Sequence, residues 1–159
     1  MPNFSFALIV FFLGACTTAS QQLNHRLEIG EPVTKVFLAP YDDVITALRL
    51  AMLDYPQQHD DPEAGFFQTA LIRGHQIWRP AHLESNPWRG MRYRIHVRVI
   101  RGAAAGRREA TRVEITKKME QPSDFFSEAR PVASDGLEEQ ALLYRIGREL
   151  RIARELEAN

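Results

Sequence analysis

A single thiol, Cys16, is the most chemically distinctive side chain in the sequence. With no second cysteine, it cannot close a disulfide within the chain. It follows Leu13-Gly14-Ala15, at the end of a stretch from Phe4 that is almost continuously apolar and carries no charge. About twelve such residues are too few for a membrane-crossing helix, which needs ~20, and suit the hydrophobic region of an export leader. The polar run Thr17-Thr18-Ala19-Ser20-Gln21-Gln22 follows at once. The pattern predicts an export leader over 1–15.

A second concentration of chemistry is basic. Between Met91 and Arg101, Met91, Tyr93, Ile95, Val97 and Val99 alternate with Arg92, Arg94, His96 and Arg98, with Arg101 close behind. The period of two predicts a half-buried antiparallel strand with one wet face. That face is either a stripe for an acidic partner, lipid head groups or glycan phosphates, or a solvated surface balanced across the ladder by Glu114 and its neighbours. Such cross-strand pairs contribute only ~0.2–1 kcal/mol each. A third concentration is the stretch from Arg73 to Arg89, with Trp78, Trp88, Pro80, Pro87, Arg79 and Arg89. Tryptophan and arginine are what interfaces favour, and tryptophans equally close the edge of a core.

Catalytic signatures are lacking. The five histidines, His25, His59, His75, His82 and His96, form no HExxH pair. His59-Asp60-Asp61 is metal-compatible but reads as a polar turn. No G-x-S-x-G elbow occurs, and Gly102 to Gly106 lacks the lysine of a phosphate loop. The expectation is a protein that is not an enzyme and uses no metal or cofactor.

The positioning elements follow from periodicity. Thr17 to Pro32 reads as a tether, and the domain begins at 33, where Lys35-Val36-Phe37-Leu38 suits a short strand. Pro40 to Asp54 reads as a helix with Pro40 in its first turn, Asp42 and Asp43 against the helix dipole, and Val44, Ile45, Leu48, Ala51, Met52 and Tyr55 on one apolar face. Gln57 to Gly65 reads as a polar connection and Phe66 to Ile72 as a strand, with Phe67, Thr69 and Leu71 on one side. After the basic strand, Gly102 to Arg108 turns into a partner strand from Ala110 to Met119, with Val113, Ile115 and Lys117 on one face. Gln121 to Ser134 reads as irregular. A final helix starts at a capping box, Asp135 with Glu138. Leu142, Leu143, Ile146, Leu150, Ala153 and Leu156 form its stripe, and Glu138 and Glu139 are placed on outer faces.

The expected fold is α+β: an antiparallel sheet of three to four strands with two helices packed on one face, in a single domain over 33–159. Lys+Arg and Asp+Glu both total 20, so no global field favours nucleic acid.

Leu13-Gly14-Ala15-Cys16 resembles the bacterial lipobox. That resemblance implies an acylated Cys16 holding the chain on a lipid bilayer, and Thr17 rather than Asp after it points to the outer membrane with the domain in the periplasm. Tyr41-Asp42-Asp43-Val44 and Pro62-Glu63-Ala64-Gly65-Phe66-Phe67-Gln68-Thr69 resemble the BamC-like, helix-grip-type domains of small outer-membrane lipoproteins. The resemblance implies a non-catalytic accessory of the cell envelope with an envelope protein partner. Trp78, Trp88, Arg89, Arg92, Arg94 and Arg98 are the candidate contacts. The alternative is a binder of envelope glycan or anionic lipid through strand 91–101.

Overall fold

The computed structural model describes residues 30–73, 90–105, 109–122 and 129–158. Cys16, the leader, nearly all of the tether, Trp78, Trp88 and Arg89 lie outside the described residues.

The described chain runs β1 (Val33–Phe37), α1 (Tyr41–Ala51), β2 (Gln57–Asp61), β3 (Phe66–Thr69), β4 (Ile72–Arg73), β5 (Arg92–Ala103), β6 (Glu109–Gln121), β7 (Arg130–Val132) and α2 (Leu137–Glu157). The fold is α+β with one antiparallel sheet and two helices. The sheet has seven strands, in the order β1-β6-β5-β3-β2, with β4 added to β5 and β7 to β6. The expectation of three to four was therefore too low, and its errors lie at the edges. Gln57–Asp61, read as a connection, is the edge strand β2, exposed along most of its length. Polar residues suit both faces of such a strand, so apolar alternation never marks it. Arg130-Pro131-Val132, read as irregular, pairs with β6. A proline is tolerated there because the strand lies at an edge.

The central β5–β6 ladder follows its alternation. Tyr93, Ile95, Val97 and Val99 are buried, and so are Val113, Ile115 and Met119 across from them. Both helices cover this face. Val44, Ile45, Leu48, Ala51, Met52 and Tyr55 from α1 and its trailing turn join Leu142, Leu143, Ile146 and Leu150 of α2 in one core with the inward strand residues. Pro40 is the N-cap of α1 rather than a first-turn residue. Strand 66–72 is broken: Phe67 and Thr69 are buried, Leu71 turns outward, and Ile72 is buried again. The Ala70 amide donates to the Pro56 carbonyl at 2.8 Å at this break. Gly65 immediately precedes β3 at φ 64°, and its carbonyl accepts from the Val99 amide at 2.8 Å. A Cβ at Gly65 would collide with the Val99 carbonyl oxygen, so close strand approach requires glycine there.

α2 departs from expectation at both ends. Its N-cap is Gly136 in the left-handed region, and Asp135 accepts from the Leu137 amide at 3.1 Å. Glu138 does not complete a capping box, because its carboxylate is committed to the core. Ala153 and Leu156 are exposed rather than part of the buried stripe, since the helix continues past the core. Arg154 secures that overhang by donating to the Leu38 carbonyl at 2.6 Å.

Candidate functional site

Two polar sites face opposite ways from the β5–β6 ladder. The inner one begins with Lys117, which alternation puts on the apolar face, opposite Ile95. Lys117 is only 2% exposed, and an ammonium so deeply buried requires charged partners. The first turn of α2 supplies them. Glu138 and Glu139, expected on outer faces, are 1% and 3% exposed. Glu138 Oε2 lies 3.2 Å from Lys117 Nζ, Asp135 Oδ1 3.8 Å and Glu139 Oε2 4.0 Å. Glu138 Oε1 accepts from the Tyr55 and Tyr93 hydroxyls, both at 2.9 Å. Lys117 also lies over the Tyr93 ring, 5.4 Å from its centre. Burial, reinforced by the charge of Glu138 and its hydrogen bond, pushes both tyrosines far above their ordinary pKa of 10.0. Neither offers a phenolate near neutral pH. The cluster ties the turn after α1, two central strands and the start of α2 together, and its chemistry is structural.

The outer site lies on the face that neither described helix covers. Arg92, Arg94, His96 and Arg98 all point to it, as alternation predicted. Arg101 does not: it pairs with buried Thr111 on the core side, beyond the end of the apolar layer. Its guanidinium stacks on Tyr41, 4.1 Å from the ring centre, and approaches Asp42 at 4.0 Å. Its odd position gives it the parity of Tyr93, Ile95, Val97 and Val99, not that of the stripe. The remaining residues differ in their partners. Arg92 forms an ion pair with Glu120, directly across the ladder. Arg98 stands opposite Glu114, whose carboxylate is engaged by Arg112 at 3.1 Å. Arg94 stands opposite Lys118. His96 is half-buried beside Thr116 and Gln68, and its ring lies 6.1 Å from that of Phe66. Burial first, then Lys118 and Arg94, lower its pKa below the ordinary 6.5.

An open hollow of about 320 Å³ sits over this part of the face, lined among others by Arg94, His96, Lys118, Gln68, Leu71 and Pro131. Lys118 was not foreseen as a site residue, although the Lys117-Lys118 pair in a strand necessarily sends one lysine to each face. A second hollow, of about 240 Å³, lies between α1 and the β2–β3 hairpin, lined by Leu48, Met52, Leu53, Tyr55 and Phe67. The Arg49–Asp60 ion pair, at 2.9 Å, stands at its rim. That bridge uses Asp60, and Asp61 accepts from the Ala64 amide at 2.9 Å, so both acids next to His59 have structural work in the hairpin.

No family model and no curated protein matches the chain.

Proposed function

We propose that the chain is a lipid-anchored protein of the bacterial cell envelope whose single domain acts as a non-catalytic adaptor. In this reading, acylated Cys16 holds it on the outer membrane, residues 16–32 act as a tether, and the domain faces the periplasm. The helix-grip-type, BamC-like resemblance belongs to the same proposal. None of the described helices is long and apolar enough to cross a membrane. The observation that carries the reading is the one-sided sheet: among the described residues both helices cover one face, and the other, with Arg92, Arg94, His96, Arg98 and Lys118, carries no helix and is available to a partner. Trp78, Trp88 and Arg89 are proposed as a second contact.

The test is site-specific photocrosslinking in intact cells. Probes at Gln68 and Thr116 report on the open face, and probes at Tyr144 and Arg151 report on the outer side of α2. A discrete crosslinked protein obtained only from the open face supports the reading. Equal labelling from all four positions, or none, contradicts it. Intact mass of the membrane-extracted protein tests the anchor, which requires acylation at Cys16.

One observation favours the second reading, a binder of anionic lipid or glycan: the Arg94–Lys118 pairing places two cations side by side on the open face.

A further inference from the structure

Along the open side of the β5–β6 ladder, charges are complementary at two positions and not at a third. Arg92 faces Glu120, and Arg98 faces Glu114. Between them Arg94 faces Lys118, and neither has an ion-pair partner among the described residues. Like charges directly across a ladder are destabilising. A sequence that balances the flanking positions and leaves this one doubly positive bears a cost that a bound anion would remove. The hollow of about 320 Å³ lies at this position, near the lower end of small-molecule sites (~300–1,000 Å³).

We propose that Arg94, Lys118 and His96 form an oxyanion site that takes a phosphate group. The inference rests on the open face being the binding surface, and it names what that face binds. The Arg94 guanidinium presents a planar fork suited to two oxygens, and the Lys118 ammonium adds a compact charge from the neighbouring strand. His96, two residues along from Arg94, offers a third donor. Three donors on two strands suit the three terminal oxygens of a phosphate better than the two of a carboxylate. Gln68 and Thr116 flank His96 with uncharged polar groups. Leu71 and Pro131 give the hollow an apolar side against which the carrier of the phosphate can rest. Glu120 lies at the rim, where Arg92 engages it. Nucleic acid fits less well. It needs a track of cations, whereas the excess here is local and the chain carries no net charge.

The phosphate could be a free ion or a lipid head group, and one experiment addresses both. Inorganic phosphate is titrated into the purified full-length protein and followed by NMR. The variants are Arg94→Gln/Lys118→Gln and, as a control removing a cation from the same face away from the hollow, Arg112→Gln. Thermal unfolding verifies that both fold. The site predicts saturable binding, weakened at least about tenfold in the first variant and less than about twofold in the control. No saturable binding by the wild-type protein, or equal weakening in both variants, overturns the proposal. In parallel, partition onto phosphatidylcholine vesicles is compared with and without phosphatidic acid. The anchor contributes equally to both, so the difference reports the face. A difference abolished by Arg94→Gln/Lys118→Gln supports the site with a lipid head group as the source. Phosphate binding that follows the site, with no vesicle difference, supports it with a soluble phosphate. The adaptor reading is judged separately by crosslinking, so a failed titration with intact open-face crosslinks overturns this inference alone.

Discussion

Lys117 and Lys118 are neighbours on β6, and they occupy opposite electrostatic situations. Lys117 is enclosed by Glu138, Glu139 and Asp135 beneath both helices. Lys118 is exposed on the bare face and looks across at another cation, Arg94. The alternation of a strand makes this possible, since one step along the chain exchanges core for solvent. The difference separates two uses of charge. Inside, the chain supplies the counter-charges itself, and the assembly holds elements together. Outside, the counter-charge is missing from the described chain, and the arrangement favours an anion that arrives.

The largest effect should come from breaking the inner assembly at its centre. Lys117→Met leaves Glu138 and Glu139 buried without their cation, and removing one partner of such a pair costs about 3–5 kcal/mol. Urea unfolding measures this, and a loss below about 1 kcal/mol would mean the cluster does not bind the layers together. The tyrosines come next. Tyr55→Phe and Tyr93→Phe each remove a donor from Glu138, and a hydrogen bond to a charged group contributes about 1.5–3 kcal/mol. Their pH dependence has a definite sign. Folding raises both pKa values above 10.0, so unfolding allows the hydroxyls to ionise. The stability they contribute is full below about pH 10 and is lost as pH rises beyond it. The Tyr55→Phe/Tyr93→Phe variant should therefore lose less stability than wild type between about pH 9.5 and 11.5, which alkaline thermal melts will show.

Outside, effects should be small and of opposite sign. Arg94→Gln relieves repulsion from Lys118 and should stabilise the free protein by about 0.2–1 kcal/mol, measurable as a small rise in Tm. A clear destabilisation would mean Arg94 has an internal role. The subtlest effect is on His96. It is faced by Arg94 and Arg98 along its own strand, by Lys118, Thr116 and Glu114 from β6, and by Phe66 and Gln68 from β3, with Glu120 farther off in the lining of the same hollow. Its pKa is lowered by burial and by Lys118 and Arg94, so a bound dianion should raise its NMR titration midpoint. Sulfate, a dianion across that range, is the clean probe. An unchanged midpoint with sulfate present would remove His96 from the site.

Much of this contrast was legible in the sequence, and the misses have physical causes. The basic strand was readable because five apolar residues alternate with its cations over one run. Lys117 was placed on the right face by the same rule. Its partners do not show in the sequence, because polarity alone puts Glu138 and Glu139 on outer faces, and a buried acid becomes evident only when matched to a buried base from another element. Lys118 does not stand out in the sequence, because the stripe is visible along one strand while its meaning depends on the register to the next. Ala153 and Leu156 continue the helical stripe in sequence, yet the sheet ends before the helix does. Periodicity reports the faces of an element and does not report how far its neighbour extends.

Charge reversal at Lys118 tests the central contrast most directly. Lys118→Glu turns the doubly positive position into a complementary pair with Arg94. The account predicts two changes together in the full-length protein: a small gain in thermal stability and loss of saturable phosphate binding. A variant that is less stable than wild type, or that still binds phosphate with undiminished affinity, would contradict it.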